Sequence, residues 1–371
     1  MKALGIIFSN IHNETIDELT RKRTSASIPF GGRYRLIDFA LSNLVNAGVD
    51  NVGILAQKNY QSLMDHLGSG KDWDLSRRNG GLVIFPPFGN YKIATLYRSR
   101  LEALISIKGF IENQKEELVV LMDCDSANII DFNEIFDFHL NKGADITILY
   151  RHGKCEKDLE KNMNFILNEE GRITKANLKS KIGTITNSCI NMFILNRRLL
   201  QGLLEEAISQ GMESFHRDLI FNNIKSLKIY GYEHKGVYLH VNSMENYFKY
   251  NMALLNRETK EALFGNKNHR VYTKVRDSAP TRYGFHAKVE NSFIADGCEI
   301  EGTVINSILF RGVKIGRGTI VKNSILMQDT ITGDNVKLNY VITDKNVTIR
   351  NRNHLSGCEK IPYYLGKNTM V

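Results

Sequence analysis

Basic side chains gather in one stretch of this chain: the run Arg21-Lys22-Arg23, then Arg33 and Arg35. Clustered guanidinium and ammonium groups suit a multivalent phosphate. Charge runs are also often plain solvated faces, and the residue types alone leave both readings open. The formal net charge of +9 favours an anionic ligand such as a nucleotide or sugar phosphate. Nucleic acid is not expected, because the basic residues are spread out with no interleaved aromatic motif. Cys124, Cys155, Cys189, Cys298 and Cys358 are odd in number and scattered, with no pair at metal-ligand spacing. That suits free thiols in a reducing cytoplasm.

The elements that would position these groups follow from hydrophobic periodicity. Leu4–Phe8, Val52–Ala56, Leu118–Met122 and Ile146–Tyr150 are short apolar runs suited to buried strands. Between them, Leu36–Val45 places its apolar residues on one helical face, with Gly48 as a C-cap, and Tyr97–Gly109 and Asp131–Leu140 also have helical patterns. The alternation predicts a mostly parallel sheet with helices on both faces, a plan that binds ligands at the carboxyl ends of its strands. Residues beyond about 160 mix strands with longer insertions, and a helical stretch runs from Ser243 to about Leu263.

The texture changes around Asp277–Gly284. From Asn291 onward β-branched and other apolar residues recur six apart: Ile294 and Ile300; Leu309, Ile315 and Val321; Ile325 and Ile331; Val336 and Ile342; Val341 and Val347. Gly297, Gly302, Gly312, Gly316, Gly318 and Gly333 fall between them. A sustained six-residue period predicts a β-helix of hexapeptide coils, each burying its apolar side chains against the next. The alternative, an irregular β-sandwich with chance spacing, does not explain why the period persists. With 371 residues the chain fits two domains, and 42% hydrophobic with 24% charged residues places it among soluble globular proteins. No apolar run approaches the ~18 residues of a membrane span. The opening MKALGIIFSN reads as a first strand rather than a signal peptide.

The stretch FGGRYRLIDFALSNLVNAGV (Phe30–Val49) closely resembles the bacterial glucose-1-phosphate adenylyltransferases, or ADP-glucose pyrophosphorylases. So does VYTKVRDSAPTRYG (Val271–Gly284), which joins two domains in that family, and so does the hexapeptide tail. Within the family the chain looks most like the GlgD-type subunit of Gram-positive glycogen synthesis. The resemblance implies an α/β, Rossmann-like nucleotidyltransferase domain over 1–250, a linker with helix over 251–285 and a left-handed parallel β-helix over 286–371. It also implies a reaction, transfer of the adenylyl group of ATP to glucose 1-phosphate with release of pyrophosphate, and a tetrameric assembly.

The resemblance further assigns positions, and many have changed type. The family's Gly-Gly-x-Gly-x-Arg phosphate loop corresponds to Asn10, Ile11, His12, Asn13, Glu14 and Thr15, with no glycine to let phosphate approach the backbone. A phosphate-gripping Lys-Pro pair corresponds to Ser25 and Ala26, and serine carries no full charge. Of two Mg²⁺-binding aspartates, one is retained as Asp125, and Asp123 shares its strand face. The other corresponds to His240, and histidine is a poor ligand for that hard ion. The family Tyr-Arg-Gly-Thr-Ala-Asp becomes Tyr97-Arg98-Ser99-Arg100-Leu101-Glu102, while a phosphate-binding lysine survives as Lys179.

The positions matching Lys22, Arg23 and Arg35 bind an anionic sugar-phosphate activator in the family, with Arg33, Arg311 and Lys314 as further candidates here. The resulting expectation is a cytoplasmic regulatory subunit, weakly active or inactive, with ATP binding and Mg²⁺ in doubt. It would partner a catalytic homologue in a heterotetramer and respond to a sugar-phosphate effector. Two other readings stand beside it. One is an active sugar-1-phosphate nucleotidyltransferase with a rebuilt site. The other is a hexapeptide acyltransferase using His354 as base, which leaves the long N-terminal domain unexplained.

Overall fold

The first apolar run forms the strand Ala3–Phe8, buried along its whole length. In this computed structural model, which describes residues 2–9, 16–87, 97–155 and 162–371, it is the centre of a nine-stranded sheet. Asn51–Leu55 pairs parallel on one side and Leu118–Asp123 parallel on the other. Gly81–Phe85 continues the parallel half beyond Asn51–Leu55. Neighbours entered from opposite sides leave a crevice at the carboxyl end of the central strand. Beyond Leu118–Asp123 the expected parallel order gives way. The strand Ile185–Asn196 runs antiparallel to Leu118–Asp123, Ile146–Lys154 and Asn164–Leu167.

The helix Leu36–Asn46 packs its apolar face on this sheet. Its start is fixed by Asp38, whose Oδ2 accepts from the Arg35 backbone N–H at 3.0 Å. Gly48, with φ of +74°, ends it as expected. The stretch Tyr97–Gly109 is helical over Arg100–Ser106 and again from Lys108, in the short helix Lys108–Glu112; the Ser99 hydroxyl accepts from Glu102 N–H at 3.2 Å and starts the first of these. The stretch from Ser243 divides into Met244–Met252 and Arg257–Phe264, the second opened by Asn256 accepting from Glu258 N–H at 2.7 Å.

The C-terminal coils form three five-stranded parallel sheets, the three faces of a left-handed β-helix. Its first strand, Arg282–Tyr283, begins ahead of the expected border at 286. Val304, Val321, Leu338 and Leu355 stack in register along one face. The corners turn through Asn306 and Asn323, with φ of +45° and +46°, in the left-handed region that asparagine tolerates. A serine spine supports them: Ser324 N–H donates to Ser307 Oγ, and Val341 N–H to Ser324 Oγ, each at 3.1 Å.

The two domains share a core. Phe39, Tyr247 and Leu254 pack in one cluster with Ile308, Phe310, Ile325 and Ile342 of the coils. Tyr34 and Phe264 stack at 4.9 Å between ring centres. The 251–285 segment is therefore no free tether, since Leu263 of its helix is fully buried in that cluster.

Candidate functional site

Two sites stand out, one at the crevice and one at the domain junction. At the crevice, Leu118–Asp123 delivers Asp123, and the following residues place Asp125 beside it, both nearly buried. Strand Tyr238–His240 pairs antiparallel with Ser126–Asn128, setting His240 opposite Ser126. That register brings His240 Nε2 to 3.1 Å from Asp125 Oδ2, so the imidazole N–H donates to the carboxylate. The His240 ring stacks on Tyr238 at 5.8 Å.

Asp123 has its own partner. Arg100, at the first position of its helix, donates to Asp123 through Nε at 3.2 Å and through Nη2. Its guanidinium also lies 5.9 Å from the centre of the Phe8 ring. Ser25 is buried beside the end of the central strand, and its hydroxyl donates to the Ser9 carbonyl at 2.9 Å. It offers no charge to a phosphate.

Lys179 is exposed and lines an open cavity of about 530 Å³ with His152, Lys181 and Asn187, whose lining includes neither Asp123 nor Asp125. The loop positions Asn10, Ile11, His12 and Asn13 lie outside the described residues. Among the described residues no cluster of three or more His, Cys, Asp or Glu could hold a metal ion. The donor set at Asp125, an imidazole and a carboxylate beside a guanidinium, suits Mg²⁺ poorly. Nor do the thiols supply a nucleophile nearby, since burial pushes Cys189 up to about 12.

At the domain junction the basic residues fall into two groups. Arg33, Arg35, Lys274, Arg276, Arg311 and Lys345 line one narrow cavity with His66, and among the described residues no carboxylate lines it. Arg35 is buried and donates to the Ser62 carbonyl at 2.5 Å, and burial lowers it to about 10. Arg311 is held by Asp296 at 3.1 Å and by the Lys274 carbonyl at 3.1 Å. His66 lies 2.6 Å from Asp38, yet burial keeps it below its ordinary value. Lys345 is pushed down to about 6, first by burial and then by Arg35 and Arg23. The cavity is small, about 30 Å³, and Arg33 and Arg276 on its lining are exposed.

The other expected anion ligands are placed differently. Arg23 is buried and its Nη2 donates to both oxygens of Asp344, at 2.6 and 2.9 Å, an ion pair that joins it to the coils. Tyr364 Oη donates to the same carboxylate at 3.0 Å. Lys22 is exposed and outside the cavity lining. Lys314 is exposed and pairs with Glu299 at 2.9 Å, also away from the cavity. His354 is exposed at the start of the strand His354–Ser356. Reading the sequence missed Lys345, Lys274 and Arg276 as cavity residues. Lys274 and Arg276 sit inside the motif Val271–Gly284 and carried a signal through it, whereas Lys345 is revealed only by the coil register.

A nucleotidyltransferase-type sheet with its crevice at the strand ends, joined to a hexapeptide β-helix, defines the class. Residues 15–160 match the nucleotidyl transferase family model, and residues 278–358 match a GlmU-like C-terminal hexapeptide model. The chain is 31% identical over 373 residues to the glycogen biosynthesis protein GlgD of Bacillus subtilis (strain 168), covering 98% of this chain and 95% of the relative. It is 35% identical to the GlgD of Geobacillus stearothermophilus, over 86% of this chain and 83% of that one. A glucose-1-phosphate adenylyltransferase of Thermosipho melanesiensis (strain DSM 12029 / CIP 104789 / BI429) is 30% identical, over 86% of this chain and 77% of its own length. The chain belongs to the glucose-1-phosphate adenylyltransferase family, in its GlgD-type branch.

Proposed function

We propose that this chain is a regulatory, weakly active or inactive subunit of a glucose-1-phosphate adenylyltransferase in glycogen biosynthesis. It assembles with a catalytic homologue, as a heterotetramer, and receives a phosphate-bearing effector. The observation that carries the reading is the cavity at the domain junction. Five cationic side chains and Lys345, from both domains and the segment between them, converge there, and among the described residues no carboxylate lines the cavity. A crevice that has lost its phosphate-gripping lysine to Ser25 and an aspartate position to His240 stands in contrast. An anion in the cavity would join Arg33 and Arg35 of the first domain to Arg311 and Lys345 of the coils, so its binding bears on how the domains sit together. Five free thiols, four of them buried, suit a reducing compartment, the cytoplasm. No helix among the described residues is long and apolar enough to cross a membrane.

The test uses Arg33→Ala with Arg276→Ala, two exposed cavity residues outside the buried core. Charge-assisted bonds contribute roughly 1.5–3 kcal/mol each, so losing two should weaken effector action at least ~100-fold. ADP-glucose synthesis by the mixed complex is measured against a sugar bisphosphate, with assembly checked by sizing on the same preparation. Unchanged activation with intact assembly refutes the effector site. Loss of activation together with assembly reassigns these residues to an interface.

A further inference from the structure

We propose that Arg100, a built-in countercharge, and His240, a fixed N–H donor, stand where a divalent cation would, so that the crevice keeps its fold with no metal in it. The inference rests on the regulatory reading in one respect only: a chain that does not turn over has no use for the ion.

Asp123 and Asp125 are 4% and 7% exposed at the end of one strand. Two carboxylates this close and this dry repel one another, and a folded chain must compensate them. A cation is one solution, but here protein groups supply another. Arg100, itself only 6% exposed, places Nε and Nη2 on the two oxygens of Asp123, the forked geometry that suits a carboxylate best. The Ser99 cap sets where its helix starts, and His216 Nδ1 accepts from Nη1 at 3.4 Å. His240 is fixed independently, by the pairing of its strand with Ser126–Asn128 and by the Tyr238 ring. Its Nε2–H points at Asp125, the carboxylate an ion would need.

The pairing explains the exclusion. Arg100 offsets the Asp123 carboxylate, and the His240 N–H occupies an oxygen of Asp125. A hard dication binds where two or more oxygen anions converge on it. Here it would meet a guanidinium on one carboxylate and a nitrogen donor on the other, and Coulomb repulsion from the guanidinium opposes its entry.

The experiment uses the full chain with Mn²⁺ as probe, following loss of the free-ion spin-resonance signal and the melting temperature. Wild type is compared with Asp125→Asn, His240→Asp and the double variant Arg100→Gln/His240→Asp. Wild type should show no Mn²⁺ site that Asp125→Asn removes. The double variant should gain one, bound at least ~100-fold more tightly, because a positive charge is removed and a carboxylate added within a few ångströms of the ion. It should also melt lower than wild type without metal and be raised by Mn²⁺. If it folds only with Mn²⁺ present, that also supports the inference, and His240→Asp alone then supplies the affinity comparison. A stoichiometric wild-type site abolished by Asp125→Asn would overturn it. So would folded variants that bind no more tightly than wild type. The regulatory reading is separable. A wild-type site with no ADP-glucose synthesis by the lone chain sinks this inference alone, whereas turnover by the lone chain sinks the regulatory reading.

Discussion

Replacing Lys345 by methionine should make the protein more stable, and more so at low pH. The side chain is half-buried among cations, with Arg35, Arg23 and Arg276 acting on it, and its ammonium is pushed down from 10.5 to about 6. At 1.36 kcal/mol per pH unit, that displacement corresponds to an upper bound of about 6 kcal/mol. Solvent screening at a half-buried position reduces it to a working figure of about 2 kcal/mol, or about 3 °C in melting temperature for a chain of this length.

Below about pH 6 the native lysine is charged and the whole cost is present. Between about 6 and 10.5 the unfolded chain holds a proton that the native chain has released, so wild-type stability rises with pH. Above 10.5 the cost is gone. The advantage of Lys345→Met should therefore be full near pH 6 and much smaller at pH 10.5, where the unfolded chain also sheds its proton. Thermal unfolding in phosphate-free buffer at both pH values measures it. Added inorganic phosphate should then stabilise wild type more than the variant. A gain absent near pH 6, or one that grows with pH, would refute the reasoning.

Arg23→Ala should cost about 3–5 kcal/mol in denaturant unfolding, because it strands the buried Asp344 carboxylate; a cost below about 1 kcal/mol would show the pair to be idle. Gly316→Ala should destabilise by at least ~2 kcal/mol, since a Cβ there would collide with the Gly333 carbonyl of the next coil. Urea unfolding of the isolated variant is the check. The lone chain with Mg²⁺ should make little or no ADP-glucose, and a rate within about tenfold of a catalytic homologue would contradict that. Co-expressed with such a homologue it should elute in one larger complex, and separate elution at micromolar concentration would count against assembly.

The coils were legible because each hexapeptide must fill a repeating interior slot. Leu309, Ile315 and Val321, read six apart, are all buried. Ile331 shows the limit of the period. It is 42% exposed, and the slot in line with Ile315 goes to Thr332. Bends between sheets absorb a residue, and a count of six cannot see where. The central strands were equally plain, as unbroken apolar runs buried on both faces. The antiparallel return of Ile185–Asn196 was not, because strand direction depends on distant pairing rather than local pattern.

The same reason governs the sites. That Ser25 and His240 would stand at the crevice followed from the resemblance position by position, and the structure puts Ser25 at the end of the central strand and His240 on Asp125. That Arg100 answers Asp123 was not readable, since the two are 23 residues apart. Arg23 and Asp344 are separated by 321 residues, so a residue expected to greet an effector proved to be engaged by the chain's own far end.

The cluster that joins Phe39, Tyr247 and Leu254 to Ile308, Phe310 and Ile325 has a consequence for how the molecule comes apart. A chain of two modules normally melts in two steps, and a protease can sever the connection and release both. Here one hydrophobic cluster spans the boundary, so neither half has a finished surface to present when the other is gone. Coils expressed from 286 onward would expose that interior to water and gather into aggregates. In the intact chain, heat should reach both halves at once, as a single calorimetric peak rather than a pair. Two domains by architecture would then be one unit by cooperativity.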